Sequence, residues 1–149
     1  MIFKQWKQVL NGTKTQTRRP VKEHEEANRW DVETDVINEV IATYPKGKWG
    51  SWQSVYVVGK TYAVQPGRGK KAVGRIRITK ISKRKLLEIV PSQIVAEGIR
   101  LEDGATIEDH IVAFANLWDS IYKKPCRWKD NPEVWVLEFE LVGATICAN

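Results

Sequence analysis

The chain of 149 residues predicts an α+β domain built on a small, partly closed antiparallel barrel. Three observations predict it. A strand-rich middle is broken by Gly and Pro turns. Amphipathic helical stretches flank it. An alternating apolar strand, Glu133 to Val142, closes the chain. The order helix, several strands, helix, terminal strand suits a barrel with helices over its ends.

The elements follow in order. Phe3, Trp6, Val9 and Leu10 recur at helical spacing and predict a short helix over 3–11. Gly12 stops it, since glycine takes the left-handed cap conformation without steric cost. Residues 21–54 form an insertion that opens charged (Lys22-Glu23-His24-Glu25-Glu26) and ends aromatic and glycine-rich. It is expected to be partly helical over Asp31 to Ala42 and to close in a loop or hairpin. Trp49 and Trp52 in it could stack on a base or cap the core. Tyr62 to Gln65 leads into the turn Pro66-Gly67-Arg68-Gly69-Lys70. Beyond it Ile76, Ile78 and Ile81 point inward and the arginines outward. A strand is expected from about Leu86 to Val90, and a short helix from Pro91 to Gly98. Thr106, with Asp109 three residues on, begins the strongest helix. Its apolar face runs through Ile107, Ile111, Phe114, Leu117, Trp118 and Ile121. His110 on it reads as a surface or satisfied histidine. Lys123-Lys124-Pro125 ends the helix.

Composition narrows the function classes. One domain is expected over 1–149. Cys126 and Cys147 have no paired spacing and no neighbouring histidine, so neither a zinc site nor a disulfide framework is implied. No leader pattern and no apolar run near ~18 residues is present, so a soluble, cytoplasmic chain is expected. The net charge is +6, and it is unevenly spread. No acidic residue lies between Glu39 and Glu88, whereas 12 of the 24 cations do. Such a run attracts polyanions or phosphorylated ligands, or else forms a solvated basic face.

The densest chemistry lies in Asn11-Gly12-Thr13-Lys14-Thr15-Gln16-Thr17-Arg18-Arg19-Pro20. It offers a base (Lys14), a hydroxyl nucleophile (Thr17) and an anion-binding pair (Arg18, Arg19). Lys14 can act as a base only if burial or neighbouring cations lower its pKa by several units. On a regular strand positions 14 and 17 face opposite ways, so their meeting calls for a turn or bulge.

Leu10-Asn11-Gly12-Thr13-Lys14-Thr15-Gln16-Thr17-Arg18-Arg19 resembles the Leu-x-Gly-x-Lys-Thr-x-Thr-x-Arg signature of the ASCH domain family. Ala96-Glu97-Gly98 and Asn131-Pro132-Glu133-Val134-Trp135-Val136-Leu137-Glu138-Phe139 resemble two further segments of it. Together they span nearly the whole chain in the family's order; only the first is specific by itself. The resemblance implies a PUA-like small mixed or antiparallel β-barrel with flanking helices. It also implies an amidohydrolase that removes the acetyl group of N4-acetylcytidine, as small bacterial members do. Lys14, Thr17 and Glu97 then fall on the catalytic positions, with Glu97 acting on the leaving nitrogen or the hydrolytic water. Arg18, Arg19, Trp49 and Trp52 are the expected substrate-binding residues. No metal or cofactor is implied. The expected partners are a small nucleoside and RNA along the basic 60–85 stretch, with no membrane, for a monomer. A non-catalytic RNA- or nucleotide-binding module and a ribonuclease remain open as alternatives.

Overall fold

The structure, a computed structural model, describes residues 1–43 and 51–145. Helix α1 spans Trp6–Leu10, followed by strands β1 (Gln16–Pro20), β2 (Glu25–Asp31), β3 (Val36–Thr43), β4 (Trp52–Val57), β5 (Thr61–Val64) and β6 (Gly74–Lys85). Helices α2 (Pro91–Ala96) and α3 (Ile107–Ile121) come next, and β7 (Glu133–Ala144) ends the order.

All seven strands join one antiparallel sheet in the order β1-β7-β6-β3-β2, with β4 on β3 and β5 on β6. The sheet is not closed. β6 and β7 form its spine, paired from Gly74↔Ala144 to Lys85↔Glu133 with two register shifts. Such bulges sharpen the local twist of a long ribbon, and β6 pairs β5 near its start and β3 near its end. Ile37, Val40, Ile78, Ile81, Trp135 and Leu137 fill the sheet's interior. A second cluster, with Phe114, Trp118, Ile94 and Leu86, seats α2 and α3 against Val134 and Val136 of β7. Both faces of β7 are therefore buried between Val134 and Leu137.

Several expectations give way here. Residues 31–42 are not helical; they belong to the β2–β3 hairpin. Asp31 Oδ1 accepts from the Glu33 and Thr34 amides and sets the turn. The buried residues Ile37, Val40 and Ala42 do not alternate strictly, and the register with β4 shifts between Val40 and Ile41. An irregular strand with β-branched residues so spaced imitates a helical period. Residues 86–90 are not a strand either: β6 runs to Lys85 and Leu86–Glu88 form a 3-10 turn. The first helix is confined to Trp6–Leu10, while Phe3, outside it, still packs on Phe139.

Helix α3 starts as expected. Thr106 Oγ1 accepts from the Asp109 amide, and Asp109 accepts from the Thr106 amide. Its apolar stripe is buried at Phe114 and Trp118, whereas Ile107 and Ile121 at the ends are exposed. Among the described residues no helix is long and apolar enough to cross a membrane.

Gly74 sits where β6 meets α1. A Cβ there would lie 2.7 Å from the Gly143 carbonyl oxygen and 2.7 Å from Leu10 Cδ2. Gly74→Ala is expected to destabilise the fold by about 1–3 kcal/mol through overpacking. Urea denaturation followed by tryptophan fluorescence measures it.

Candidate active site

The segment after α1 is bent by Gly12, whose φ of +82° favours glycine. Asn11 Oδ1 accepts from the Thr13 amide and hydroxyl. The chain then enters the sheet. The Thr15 carbonyl accepts from the Phe139 amide, and β1 pairs β7 with Thr17 opposite Leu137 and Arg18 opposite Val136. On its other edge Lys14 bridges Glu97, and the Thr15 amide donates to the Ala96 carbonyl. Glu97 is the C-cap of α2, and Gly98 turns the chain away at a φ of +96°. A Cβ on Gly98 would come within 3.1 Å of Lys14 Cβ, so the close approach of the two segments favours glycine.

Three charged side chains meet in this seam. Lys14 Nζ donates to Glu97 Oε2 at 2.9 Å and to the Glu97 carbonyl oxygen at 2.8 Å. Arg18 Nη1 donates to Glu97 Oε1 at 2.8 Å and to Gln16 Oε1 at 2.6 Å. Arg18 Nη2 donates to Gln93 Oε1 at 3.1 Å. Lys14, Arg18 and Glu97 are 5 %, 4 % and 4 % exposed. Arg18 Nε is buried with no hydrogen-bond partner.

The charge count explains the titration of Lys14. With all three groups ionised the seam holds one net positive charge, with Arg19 nearby. Loss of the Lys14 proton leaves a balanced Arg18–Glu97 pair. Burial pulls the Lys14 pKa below the ordinary 10.5. Glu97 opposes that shift, and Arg19 and Arg18 add to it.

Lys14, Thr17, Arg18, Arg19 and Glu97 all line one cavity of about 190 Å³. Its other walls are the N-terminal segment Ile2 to Gln5, the α3 side chains Phe114, Leu117, Trp118 and Ile121, and Tyr122. Arg19 Nη2 donates to the Ile2 carbonyl at 2.6 Å, and its guanidinium lies 5.1 Å from the Phe3 ring centre. Among the described residues no hydrogen bond engages the Thr17 hydroxyl.

Other sequence expectations end differently. No bulge interrupts the β1–β7 pairing, and no hydrogen bond joins Lys14 to Thr17. The two residues line the same cavity. Glu97 does not pair with Lys14 alone; one carboxylate oxygen accepts from Lys14 and the other from Arg18. Trp52 does not reach the cavity and does not cap the core; it stands on β4, 57 % exposed. Trp49 lies outside the described residues. His110 keeps to the exterior, its Nδ1 2.9 Å from the Thr106 carbonyl. No cluster of His, Cys, Asp or Glu fit for a metal occurs among the described residues.

Part of the basic run is paired. Arg77 meets Glu140, Lys80 meets Glu138, Lys83 meets Glu133 and Arg84 meets Asp35. Four of the six cations on β6 are therefore compensated, and Arg75 and Lys85 are not in ion pairs among the described residues. Sequence reasoning did not reach Gln16 and Gln93 as partners of Arg18, or α3 and Tyr122 as cavity walls. The α3 periodicity held the signal for its wall, because Phe114 and Trp118 lie on its apolar stripe.

The fold and site together define an α+β domain with an open seven-stranded antiparallel sheet and a charged cavity between its β1 edge and α3. The chain is similar to protein EF3133 from Enterococcus faecalis V583, whose crystal structure is described by the family model DUF984. The identity is 16 %, the TM-score 0.55, and the match covers 95 % of this chain and 69 % of that one. A likeness at that identity carries the fold alone. No family model matches the chain, and no curated protein matches it.

The seam predicts an asymmetry between its members. Removing Glu97 strands two buried cations, so Glu97→Ala is expected to cost about 3–5 kcal/mol. Lys14→Met leaves the Arg18–Glu97 pair intact and is expected to cost clearly less. Thermal and urea unfolding of the two variants side by side checks the order; equal losses would contradict the charge count.

Proposed function

We propose that the chain is an amidohydrolase that removes the N4-acyl group of an acylated cytosine, with a PUA-like fold of the ASCH type. The observation that carries this reading is the convergence of Lys14, Thr17 and Glu97 on one small cavity. At about 190 Å³ the cavity is below the ~300–1,000 Å³ of drug-sized sites, a size for one substituted ring.

The steps follow from the donors and acceptors present. A neutral Lys14 amine has two N–H bonds and one lone pair. Its two hydrogen bonds to Glu97 employ both N–H groups and leave the lone pair free. That lone pair takes the Thr17 proton through one water. Thr17 Oγ1 attacks the acyl carbonyl carbon, and the Oγ1–C bond forms. Arg19, and the unpartnered Arg18 Nε–H, offer positive charge to the developing oxyanion. The C–N bond then breaks, the exocyclic nitrogen takes the proton from Lys14, and an acyl-threonine ester remains. Water hydrolyses the ester, its proton passing to Lys14 or Glu97 and back to Thr17 Oγ1. Glu97 holds Lys14 in place and serves as acid and base for these transfers.

The alternatives of an RNA-binding module or a ribonuclease call for an open basic track. Four of the six β6 cations are instead matched by acids of β7 and by Asp35.

Incubation with N4-acetylcytidine, followed by chromatography of cytidine, tests the reading. Thr17→Ala is expected to lower kcat/KM by at least about a hundredfold, in line with loss of a nucleophile, while circular dichroism stays unchanged. No cytidine from the folded native protein would overturn the hydrolase.

Proton linkage gives a second prediction. Activity is expected to rise with pH through a pKa below 10.5, as Lys14 turns neutral. Stability shares the sign. Between the folded Lys14 value and 10.5 the unfolded chain binds the extra proton, so unfolding free energy rises with pH. Lys14→Met is expected to remove that part of the slope in urea titrations across this window.

A further inference from the structure

A second cavity, of about 360 Å³, adjoins the first and is lined by Arg19, Pro20, Lys22, Tyr56, Tyr122 and Cys126. Arg19 and Tyr122 line both. We propose that this second cavity receives the phosphate of a cytidine mononucleotide whose base occupies the first. The proposal rests on the first cavity being a base site, and it narrows the substrate class from nucleoside to nucleoside monophosphate.

Charge and donors support it. Two cations and no carboxylate line the cavity. Neither Glu23, next to Lys22 in sequence, nor Glu25 lines it, and Glu25 is turned to other work: its Oε1 accepts from the Trp135 indole and from the Lys22 amide, each at 3.0 Å. The Lys22 ammonium has no ion-pair partner among the described residues, and Arg19 spends only Nη2, on the Ile2 carbonyl. Burial pushes the Tyr56 phenol up to about 12 and raises Tyr122 as well. Both therefore remain O–H donors at neutral pH. Two cations and two phenols make a donor-rich lining for a phosphate. Arg19, common to both cavities, stands where base and phosphate ends would meet. A mononucleotide fits better than RNA, because four of the six β6 cations are held in ion pairs and interrupt a continuous basic track.

The test compares cytidine with cytidine 5′-monophosphate by calorimetry. In parallel it compares kcat/KM for N4-acetylcytidine and its 5′-monophosphate. Native protein, Lys22→Ala and Lys22→Arg are used; Lys22 is exposed, so folding is not at issue. The monophosphate is expected to bind at least about tenfold more tightly than the nucleoside, the scale of one charge-assisted contact. Lys22→Ala is expected to shrink that ratio to within about threefold, and Lys22→Arg to keep it. Equal binding of the two ligands, or none of either, overturns the proposal. So does a full preference in Lys22→Ala, or a short RNA oligomer that binds more tightly than the monophosphate. A Lys22-dependent preference without hydrolysis of either acylated compound upholds the phosphate site and sinks the hydrolase.

Discussion

Everything around the cavity depends on one buried carboxylate, that of Glu97. It is the only acid facing Lys14 and Arg18 among the described contacts. Burying one such charge is costly, and burying three is tolerable only when they neutralise one another. The chain meets that condition by setting the end of α2 against the start of β1. The backbone bridge from Lys14 to Glu97 and the tight approach of Gly98 fix that geometry. With one carboxylate and two cations the seam is one charge short of neutrality, and the lysine is the member that can release a proton. A buried arginine cannot, since guanidinium stays protonated in proteins. The same shortage that strains the seam supplies a base.

The spine of β6 and β7 does a separate job. It joins the sheet interior to the helical layer, because β7 is buried on both faces. It also brings Glu133, Glu138 and Glu140 beside Lys83, Lys80 and Arg77. These exposed pairs add little to stability. Their larger effect is on the field, since they cancel much of the positive charge that a polyanion would sense.

This explains which features were legible in the sequence. Local signals came through: the Thr106–Asp109 cap, the Gly12 stop, the Pro91 helix start and the turn at Pro66-Gly67. Each depends on residues within a few positions of one another. The pairing of four cations in the basic run could not be read locally, because their acids lie some fifty to sixty residues away and meet them only in the folded chain. The Asp31–Ala42 segment misled because an irregular strand loses strict alternation, and its buried residues then imitate a helix. The resemblance placed Lys14, Thr17 and Glu97 in one expectation, and they line one cavity. No spacing could have disclosed that Arg18 shares Glu97, because that contact joins two segments distant in sequence.

Thr17 occupies an unusual place for a polar residue. It lies within the β1–β7 pairing, opposite buried Leu137, yet its hydroxyl has no hydrogen bond among the described residues. A buried valine would serve packing there as well, because the hydroxyl adds no hydrogen bond to the fold. Structural economy alone therefore gives no reason for threonine at this position. A reason exists if the hydroxyl meets a partner that comes and goes. The cavity it lines also holds the Lys14–Glu97 pair and the Arg18 guanidinium with its unpartnered Nε. A buried guanidinium nitrogen left without a partner beside one small space is what a site shaped for a ligand allows and a purely structural core avoids.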